Sequence, residues 1–335
     1  MKLIIKFGLI AILASCVHST AFSQIVKVDA IGITVKDLNR SVKFYTDVLG
    51  FNKISETELT GVEYEKLFNV FGLHIRKARL QLGEEFIELT DYLTSGGRSI
   101  PETQRSNDLF FQHIAIVVSD MEKAFNKLNS YSIEYVSTSP QTLPRSIPGA
   151  EGIKAFYFHD PDNHNLELIY FPPGKGQPKW QTTTGKLFLG IDHTAIGVSN
   201  SEVSHRFYAD LLGLERKGDS WNKGIEQEHL NNVEGASLHI TGYRSLAGPG
   251  IEFLEYILPG AGKKYPEDTR SDDIWFWLTI LITDNSKLLF EKLRASNYSF
   301  VSKEPTLVSQ NAFYHQSFIV KDPDGHALLI VERKK

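Results

Sequence analysis

One cysteine, Cys16, stands in 335 residues, which excludes internal disulfides, cysteine-based zinc sites and paired redox thiols. Basic blocks are missing too. With 36 Lys and Arg against 40 Asp and Glu the net charge is -4, so the electrostatic footprint of a nucleic-acid binder is absent. Past the first residues, no apolar run nears the roughly 18 residues that a membrane span requires. What remains is a chain that is 41% hydrophobic with 25 Gly and 13 Pro, the profile of a globular protein with a core. At roughly 100 to 200 residues per domain, its length predicts two domains.

The first residues read as an address. Lys2 and Lys6 make a positive n-region, an apolar run ends at Leu9 to Ala14, and Ala21-Phe22-Ser23 offers a small-x-small cleavage site before Gln24. A signal peptide over 1-23 is therefore expected. A second reading uses Leu13-Ala14-Ser15-Cys16, which is similar to a bacterial lipobox and would leave a lipid on Cys16. Either way the mature protein is expected outside the cytoplasm, in the periplasm or secreted, with membrane contact only through that anchor.

Internal repeats decide the architecture. Val28-Asp29-Ala30-Ile31-Gly32-Ile33-Thr34-Val35 and Phe44-Tyr45-Thr46-Asp47-Val48-Leu49-Gly50-Phe51 reappear as Ile191-Asp192-His193-Thr194-Ala195-Ile196-Gly197-Val198 and Phe207-Tyr208-Ala209-Asp210-Leu211-Leu212-Gly213-Leu214. His159-Asp160-Pro161-Asp162-Asn163-His164 likewise returns as Lys321-Asp322-Pro323-Asp324-Gly325-His326. The chain is a tandem duplication, with domains at 24-171 and 188-335 and a Pro- and Gly-rich linker at 172-187. Each copy is double again, because Phe111 to Asp120 has the strand-then-helix form of Ile191 to Asn200. The result is α+β, four βαβββ modules at about 25-93, 109-171, 188-258 and 273-333. Asp37 and Asp120 are placed as helix N-caps, and the Asp-Pro-Asp-Asn and Asp-Pro-Asp-Gly turns put a residue tolerant of positive φ where the hairpin needs one.

A first strand of the form Asp-His-x-x-x-x-Val, the Phe-Tyr-x-Asp-x-Leu-Gly-Phe helix end and the Asp-Pro-Asp-x-x-x-x-Glu hairpin together resemble the vicinal oxygen chelate superfamily. That family includes glyoxalase I, extradiol dioxygenases, methylmalonyl-CoA epimerase and fosfomycin-resistance proteins. The resemblance covers nearly the whole chain after residue 24. It implies paired modules curved around a metal, with ligands from the first and last strand of each. The first-strand positions are Ala30, His113, His193 and Trp277; the last-strand positions are Glu88, Glu167, Glu252 and Leu329.

Only modules two and three keep a full His/Glu pair. Pairing in chain order would give one site with Glu88, His113 and Glu167 and another with only His193 and Glu252. Pairing two with three across the linker, as in the single-chain glyoxalase I arrangement, would gather His113, Glu167, His193 and Glu252 into one set. Modules one and four would then form a metal-free bowl. Two imidazoles and two carboxylates suit one divalent metal, Zn, Ni, Fe, Co or Mn, with positions left for water or a bidentate substrate. Each His alone, beside apolar neighbours, would more often be a satisfied core residue. His164 and His326 are assigned to the hairpin turns, and His74, His205, His229, His239 and His315 to solvent or structure.

The function implied by the resemblance is a metal-dependent isomerase, epimerase or lyase of glyoxalase type, in which Glu167, with Glu252 as its counterpart, moves a proton beside a metal-bound carbonyl. The expected partner is a small-molecule substrate, with no nucleic acid, and a monomer suffices. Two alternatives stand beside it. A non-catalytic binding module would use Trp275, Phe276 and Trp277 as an aromatic bowl. An extradiol dioxygenase would need an iron triad from modules three and four, which offer His193, Trp277 and Leu329.

Overall fold

The computed structural model describes residues 24-182, 185-308 and 314-333; the leader and Cys16 lie outside them. Module one runs β1 (Ile25–Val35), α1 (Leu38–Asp47), β2 (Asn52–Thr60), α2 (Val62–Phe68), β3 (His74–Leu82) and β4 (Glu85–Tyr92). Module two is β5 (Gln112–Val118), α3 (Met121–Asn129), β6 (Gln141–Thr142), β7 (Lys154–His159) and β8 (Asn165–Tyr170). Module three is β9 (Phe188–Gly197), α4 (Ser201–His205) running into a π-helical turn at Arg206–Leu211, β10 (Glu215–Lys223), α5 (Ile225–Asn231), β11 (Ser237–Arg244) and β12 (Gly250–Leu258). Module four is β13 (Trp277–Thr283), α6 (Ser286–Ala295), β14 (Thr306–Leu307), β15 (Tyr314–Lys321) and β16 (Ala327–Arg333). The expected order of one strand, a helix and three strands recurs in every module; α2 and α5, each seven residues long, and the π-helical turn are additions to it.

The strands form two eight-stranded sheets, and neither follows a sequence repeat. One has the order β14-β15-β16-β13-β1-β4-β3-β2, joining modules four and one; the other has the order β10-β11-β12-β9-β5-β8-β7-β6, joining three and two. The seams are antiparallel first-strand pairs, β1 with β13 and β5 with β9. Modules therefore pair two with three across the linker. His193, on β9, and the Trp277 and Leu329 positions, on β13 and β16, belong to different sheets, which removes the iron triad that an extradiol reading requires.

Period-two alternation sorts each strand between two environments. Ile31, Ile33 and Val35 of β1, Ile114, Ile116 and Val118 of β5, and Leu166 and Leu168 of β8 enter one large core shared by both sheets, with Leu38 and Tyr45 of α1, Met121 and Leu128 of α3, and Leu289 and Leu293 of α6. Burying each such side chain contributes roughly 1.5-3 kcal/mol. The residues between them face the other way, into two concave bowls. The bowl of modules one and four is filled by apolar groups, among them Ala30, Ile75, Leu278, Ile280, Ile319 and Leu329.

Register corrects one expected position. His113 is paired with Ala195, the residue two after His193, and Leu278 is paired with Gly32, the residue two after Ala30. Module four's counterpart of His113 is thus Leu278 and not Trp277. A shift of one residue reverses the face, and Trp277 enters the shared core, edge-on to His164 at 5.3 Å. Trp275, Phe276 and Trp277 go to three separate apolar clusters, so they form no aromatic bowl.

The helix caps and turns are as the sequence places them. Asp37 and Asp120 accept from the backbone N–H of Arg40 and Lys123, and Asn163 and Gly325 take positive φ of 69° and 104°. The buried His164 and His326 each bond the turn aspartate four residues before, Asp160 and Asp322, at 2.9 and 3.0 Å. The same two carboxylates accept from Tyr45 and Tyr208 of the preceding module, which holds each hairpin against its neighbour's helix.

Candidate functional site

The bowl of modules two and three holds polar groups that the alternation leaves pointing inward. Glu167 lies between Leu166 and Leu168, Glu252 between Ile251 and Phe253, and His113 just before Ile114, so burying these apolar neighbours in the shared core turns each functional side chain into the bowl. His113 Nε2 is 3.1 Å from Glu167 Oε2, His193 Nε2 is 3.6 Å from the same oxygen, and His193 Nε2 is 3.1 Å from Glu252 Oε2. One ligand atom from each of His113, Glu167 and His193 lies within 4.8 Å of the others, and Glu252 joins this group through His193. All four residues named from sequence meet here; Glu88 and Ala30 are in the other sheet.

The separations can be tested against a metal. Ligand atoms about 2.1 Å from one ion at tetrahedral or octahedral angles lie about 3.0-3.5 Å from each other; His113 with Glu167 and His193 with Glu252, both at 3.1 Å, match this spacing, and His193 with Glu167 at 3.6 Å is slightly wider. Two imidazoles and two carboxylates also make a donor set that a borderline divalent ion accepts, so the residues fit. His113 Nδ1 is buried and has no hydrogen-bond partner among the described residues, leaving its Nε2 as the nitrogen in the cluster.

His193 is held from behind. Its Nδ1 is 3.1 Å from Asp192 Oδ2, and the Asp192 carboxylate also accepts from Arg244 Nη2 at 2.8 Å, Gln177 Nε2 at 3.0 Å and Trp180 Nε1 at 2.6 Å. Burial opposes the Asp192 charge, yet these donors hold its carboxyl well below the usual range. Burial would lower the His193 pKa, but Glu252, Asp192 and Glu167 raise it to about 9. Burial pushes the Glu252 carboxyl up, with the charge of Glu167 adding to the rise against the imidazoles. The cluster without a metal thus carries an excess of acceptors that recruits a cation, here a proton on His193.

Gln177 and Trp180 come from the linker, where Pro178–Gln181 forms a 3-10 turn and Trp180 is buried. The ring lies so close to Gly190 that a Cβ there would stand 2.8 Å from it. The sequence marks this segment only as a Pro- and Gly-rich linker, with nothing in its pattern that points to a support for His193.

The cluster opens into a cavity of about 420 Å³ whose walls include Tyr157, Glu167, His193, Gly242, Arg244 and Glu252. Glu167 is almost fully covered, while the Glu252 side chain keeps a quarter of its surface exposed toward this space. Burial, reinforced by Glu167, pushes the Tyr157 phenol well above its ordinary pKa and keeps it protonated.

In the other sheet the same places are closed. Ala30, Leu278 and Leu329 offer no ligand, and Glu88 is paired with Lys77 and with Arg79, whose guanidinium also bonds Asp29 at 2.8 Å. Arg79 lies across the ladder from Glu88 as Gly242 lies across from Glu252.

Residues 27-168 and 190-330 match the model of the Glyoxalase/Bleomycin resistance protein/Dioxygenase superfamily. The chain is 26% identical over 201 residues to glyoxalase I of Saccharomyces cerevisiae, covering 55% of each protein. It is 27% identical over 203 residues to lactoylglutathione lyase of Schizosaccharomyces pombe, covering 59% of this chain and 62% of that one. The matches thus span less than two thirds of either relative's length. In fold it is similar to glyoxalase I from Zea mays, with a TM-score of 0.60 over 92% of both chains at 17% identity.

Proposed function

The chain belongs to the Glyoxalase/Bleomycin resistance protein/Dioxygenase superfamily, and we propose that within it this protein is a divalent-metal enzyme of glyoxalase or epimerase type, moving a proton beside a carbonyl of a small oxygenated substrate. The observation that carries this reading is the convergence of His113, Glu167, His193 and Glu252 from two modules of different repeats beside one cavity, whose wall Glu167, His193 and Glu252 reach. His113, Glu167, His193 and Glu252 would hold the ion, drawn from Zn, Ni, Fe, Co and Mn. When bound, such an ion withdraws charge from a vicinal-oxygen substrate.

The protein's own groups do the rest. Asp192 fixes the His193 ring through Nδ1, keeping Nε2 toward the cluster. Glu167 and Glu252 approach from opposite modules, so a substrate between them meets a carboxylate on each side. Either can take the proton, and the other can return it. Glu252 is the more reachable from the cavity, and its raised pKa brings it toward the strength a base needs near neutral pH. The relatives named glyoxalase I and lactoylglutathione lyase support the isomerase and lyase class. The leader residues support export as a further proposal, which N-terminal analysis of the envelope fraction tests: a start near Gln24 or at a lipidated Cys16 is expected, and an intact Met1 in the cytoplasm would refute it.

The functional test is metal analysis followed by solvent-deuterium exchange. The purified protein should hold about one divalent ion per chain and catalyse deuterium uptake beside the carbonyl of a member of a 2-oxoaldehyde and 2-hydroxyketone panel, tested free and as thiol adducts. His113→Ala and Glu252→Gln should lose metal or exchange. Wild-type protein with no stoichiometric metal, or His113→Ala with full metal, overturns the reading.

A further inference from the structure

Beyond the four ligating groups, the open bowl has two walls of different chemistry, and together they describe the part of a substrate that lies away from the ion. One wall begins a single step past Glu167. Ile169 follows it on the same face of β8, with Ala155 across the antiparallel ladder and Val117 across the parallel one. Ala115, Val117, Ile169 and Trp180 form an apolar cluster that Ile153 and Phe171 extend. Ile153 also belongs to the cluster of Leu143, Ile147 and Ala150, so the apolar surface continues into the 143-153 loop. That loop crosses the bowl: a Cβ on its Gly149 would stand 3.6 Å from Ser220 Oγ of β10. Lys175 of the linker holds it there, donating to the carbonyls of Pro148 and Gly149 at 2.7 and 3.2 Å.

The other wall has a strip without side chains. Gly218 is paired across the ladder with Gly242, and Gly242 in turn with Glu252, so bare backbone runs from β10 to the cluster. Neither glycine takes a positive φ, so the backbone conformation does not require them. A Cβ on Gly242 would meet only Gly218, at 3.7 Å, which leaves open space above the strip. In the closed bowl Arg79 holds the place of Gly242 and Arg333 that of Phe171, and both face Asp29.

Charge completes the description. Arg244 is committed to Asp192, Lys217 at the rim to Glu215, and Asp219 to Arg216 and His239. The two charges of a divalent ion would be met by Glu167 and Glu252. A carboxylate brought in by a substrate would thus find both lysine and arginine of the wall already paired, and would lie near Glu167, Asp192, Asp219 and Glu252.

We propose that the substrate is uncharged and carries an apolar group of about ring size beside its vicinal oxygens, lying between Ile153, Ile169 and Phe171 on one side and the Gly218 and Gly242 backbone on the other. This names a substrate class for the proposed metal site and rests on that reading. An apolar space of roughly 150 Å³ accepts a benzene ring, so a cavity of about 420 Å³ has room for such a ring and a two-oxygen head together. Aryl- or branched-alkyl-substituted 2-oxoaldehydes and 2-hydroxyketones have this character; adducts of an acidic peptidyl thiol do not.

The test uses the full chain, zinc, and three hydroxamates that share one two-oxygen head: acetohydroxamate, benzohydroxamate and 4-carboxybenzohydroxamate. Each protein is first checked for about one zinc per chain. Wild type should bind benzohydroxamate about ten- to a hundredfold more tightly than acetohydroxamate, the effect of burying one ring, and the 4-carboxyl should remove most of that gain. Phe171→Ser and Ile153→Ser, both at half-buried positions, should keep zinc and the acetohydroxamate affinity while the benzohydroxamate advantage shrinks at least threefold. Equal binding of the acetyl and benzoyl ligands, a carboxylated ligand held as tightly as the plain one, or an advantage untouched in both variants overturns the proposal and leaves the metal reading intact. The wild-type series decides the proposal even if a variant does not fold. Zinc absent from wild type defeats the metal reading alone, and the apolar wall is then decided on metal-free protein by saturation-transfer NMR with benzamide and 4-carboxybenzamide. Transfer to benzamide only, lost in Phe171→Ser, supports the wall; no transfer, equal transfer to both, or transfer unchanged in the variant overturns it.

Discussion

Arg79 stands in one sheet at the place Gly242 holds in the other, each directly across the ladder from a last-strand glutamate, Glu88 or Glu252. The guanidinium fills one bowl and neutralises its carboxylate; the glycine, facing Gly218 on β10, leaves the other open. Gly242→Arg should therefore convert the open bowl toward the closed one. Zinc affinity should fall at least tenfold while the far-ultraviolet spectrum stays that of the wild type. Unchanged zinc binding by titration calorimetry would show that the exchange does not control access.

The linker is expected to act on the proposed metal site through Trp180. Trp180→Phe keeps the ring and deletes the 2.6 Å donor to Asp192, leaving the His193 support short of one hydrogen bond. Losses on the order of 10- to 100-fold in metal affinity follow disruption of such supporting groups. Competition against a chromophoric chelator measures this; a loss below twofold would make the linker a cover only.

Proton and metal compete at His193. Its pKa, raised to about 9 in the metal-free protein, means that an ion must displace a proton at neutral pH. Zinc affinity should rise by up to tenfold per pH unit from 7 to about 9 and then level. Titration in two buffers of different ionisation enthalpy should show close to one proton released at pH 7.5. A flat profile would contradict the proton's place on this ring.

Asp29 supplies a second pH window. Burial opposes its charge, but Arg79, Lys27 and Tyr314 bring its pKa down from 3.8 to about 2. A depressed folded pKa stabilises above the unfolded value and is lost as pH falls through the folded one. Asp29→Asn should cost about 2 kcal/mol at pH 7 by urea unfolding, and the gap should close between pH 4 and 2. Glu88→Ala, which removes the partner of Lys77 while Arg79 keeps Asp29, should cost about 1-3 kcal/mol without altering metal content.

His113, Glu167, His193 and Glu252 were legible because the resemblance places ligands on the first and last strand of each module; alternation adds the face for Glu167 and Glu252, whose apolar neighbours enter the shared core. Trp277 was misplaced by one residue because Ile274-Trp275-Phe276-Trp277-Leu278 is apolar throughout, and an unbroken run carries no facing signal. Asp192's clamp was not legible, since Gln177 and Trp180 lie in a Pro- and Gly-rich stretch with no periodicity.

The seam between β1 and β13 joins Ile25–Val35 to Trp277–Thr283, the start of the described chain to its last module. On the ribosome, module one emerges with an open strand edge and nothing to close it until four-fifths of the chain has been made. Modules two and three, adjacent in sequence, can complete their sheet well before that. Synthesis from the N-terminus thus favours the order in which the half with the His and Glu cluster assembles first and the closed half, made of the earliest and latest segments, locks around it afterwards. The earliest strand made is then among the last to find its partner.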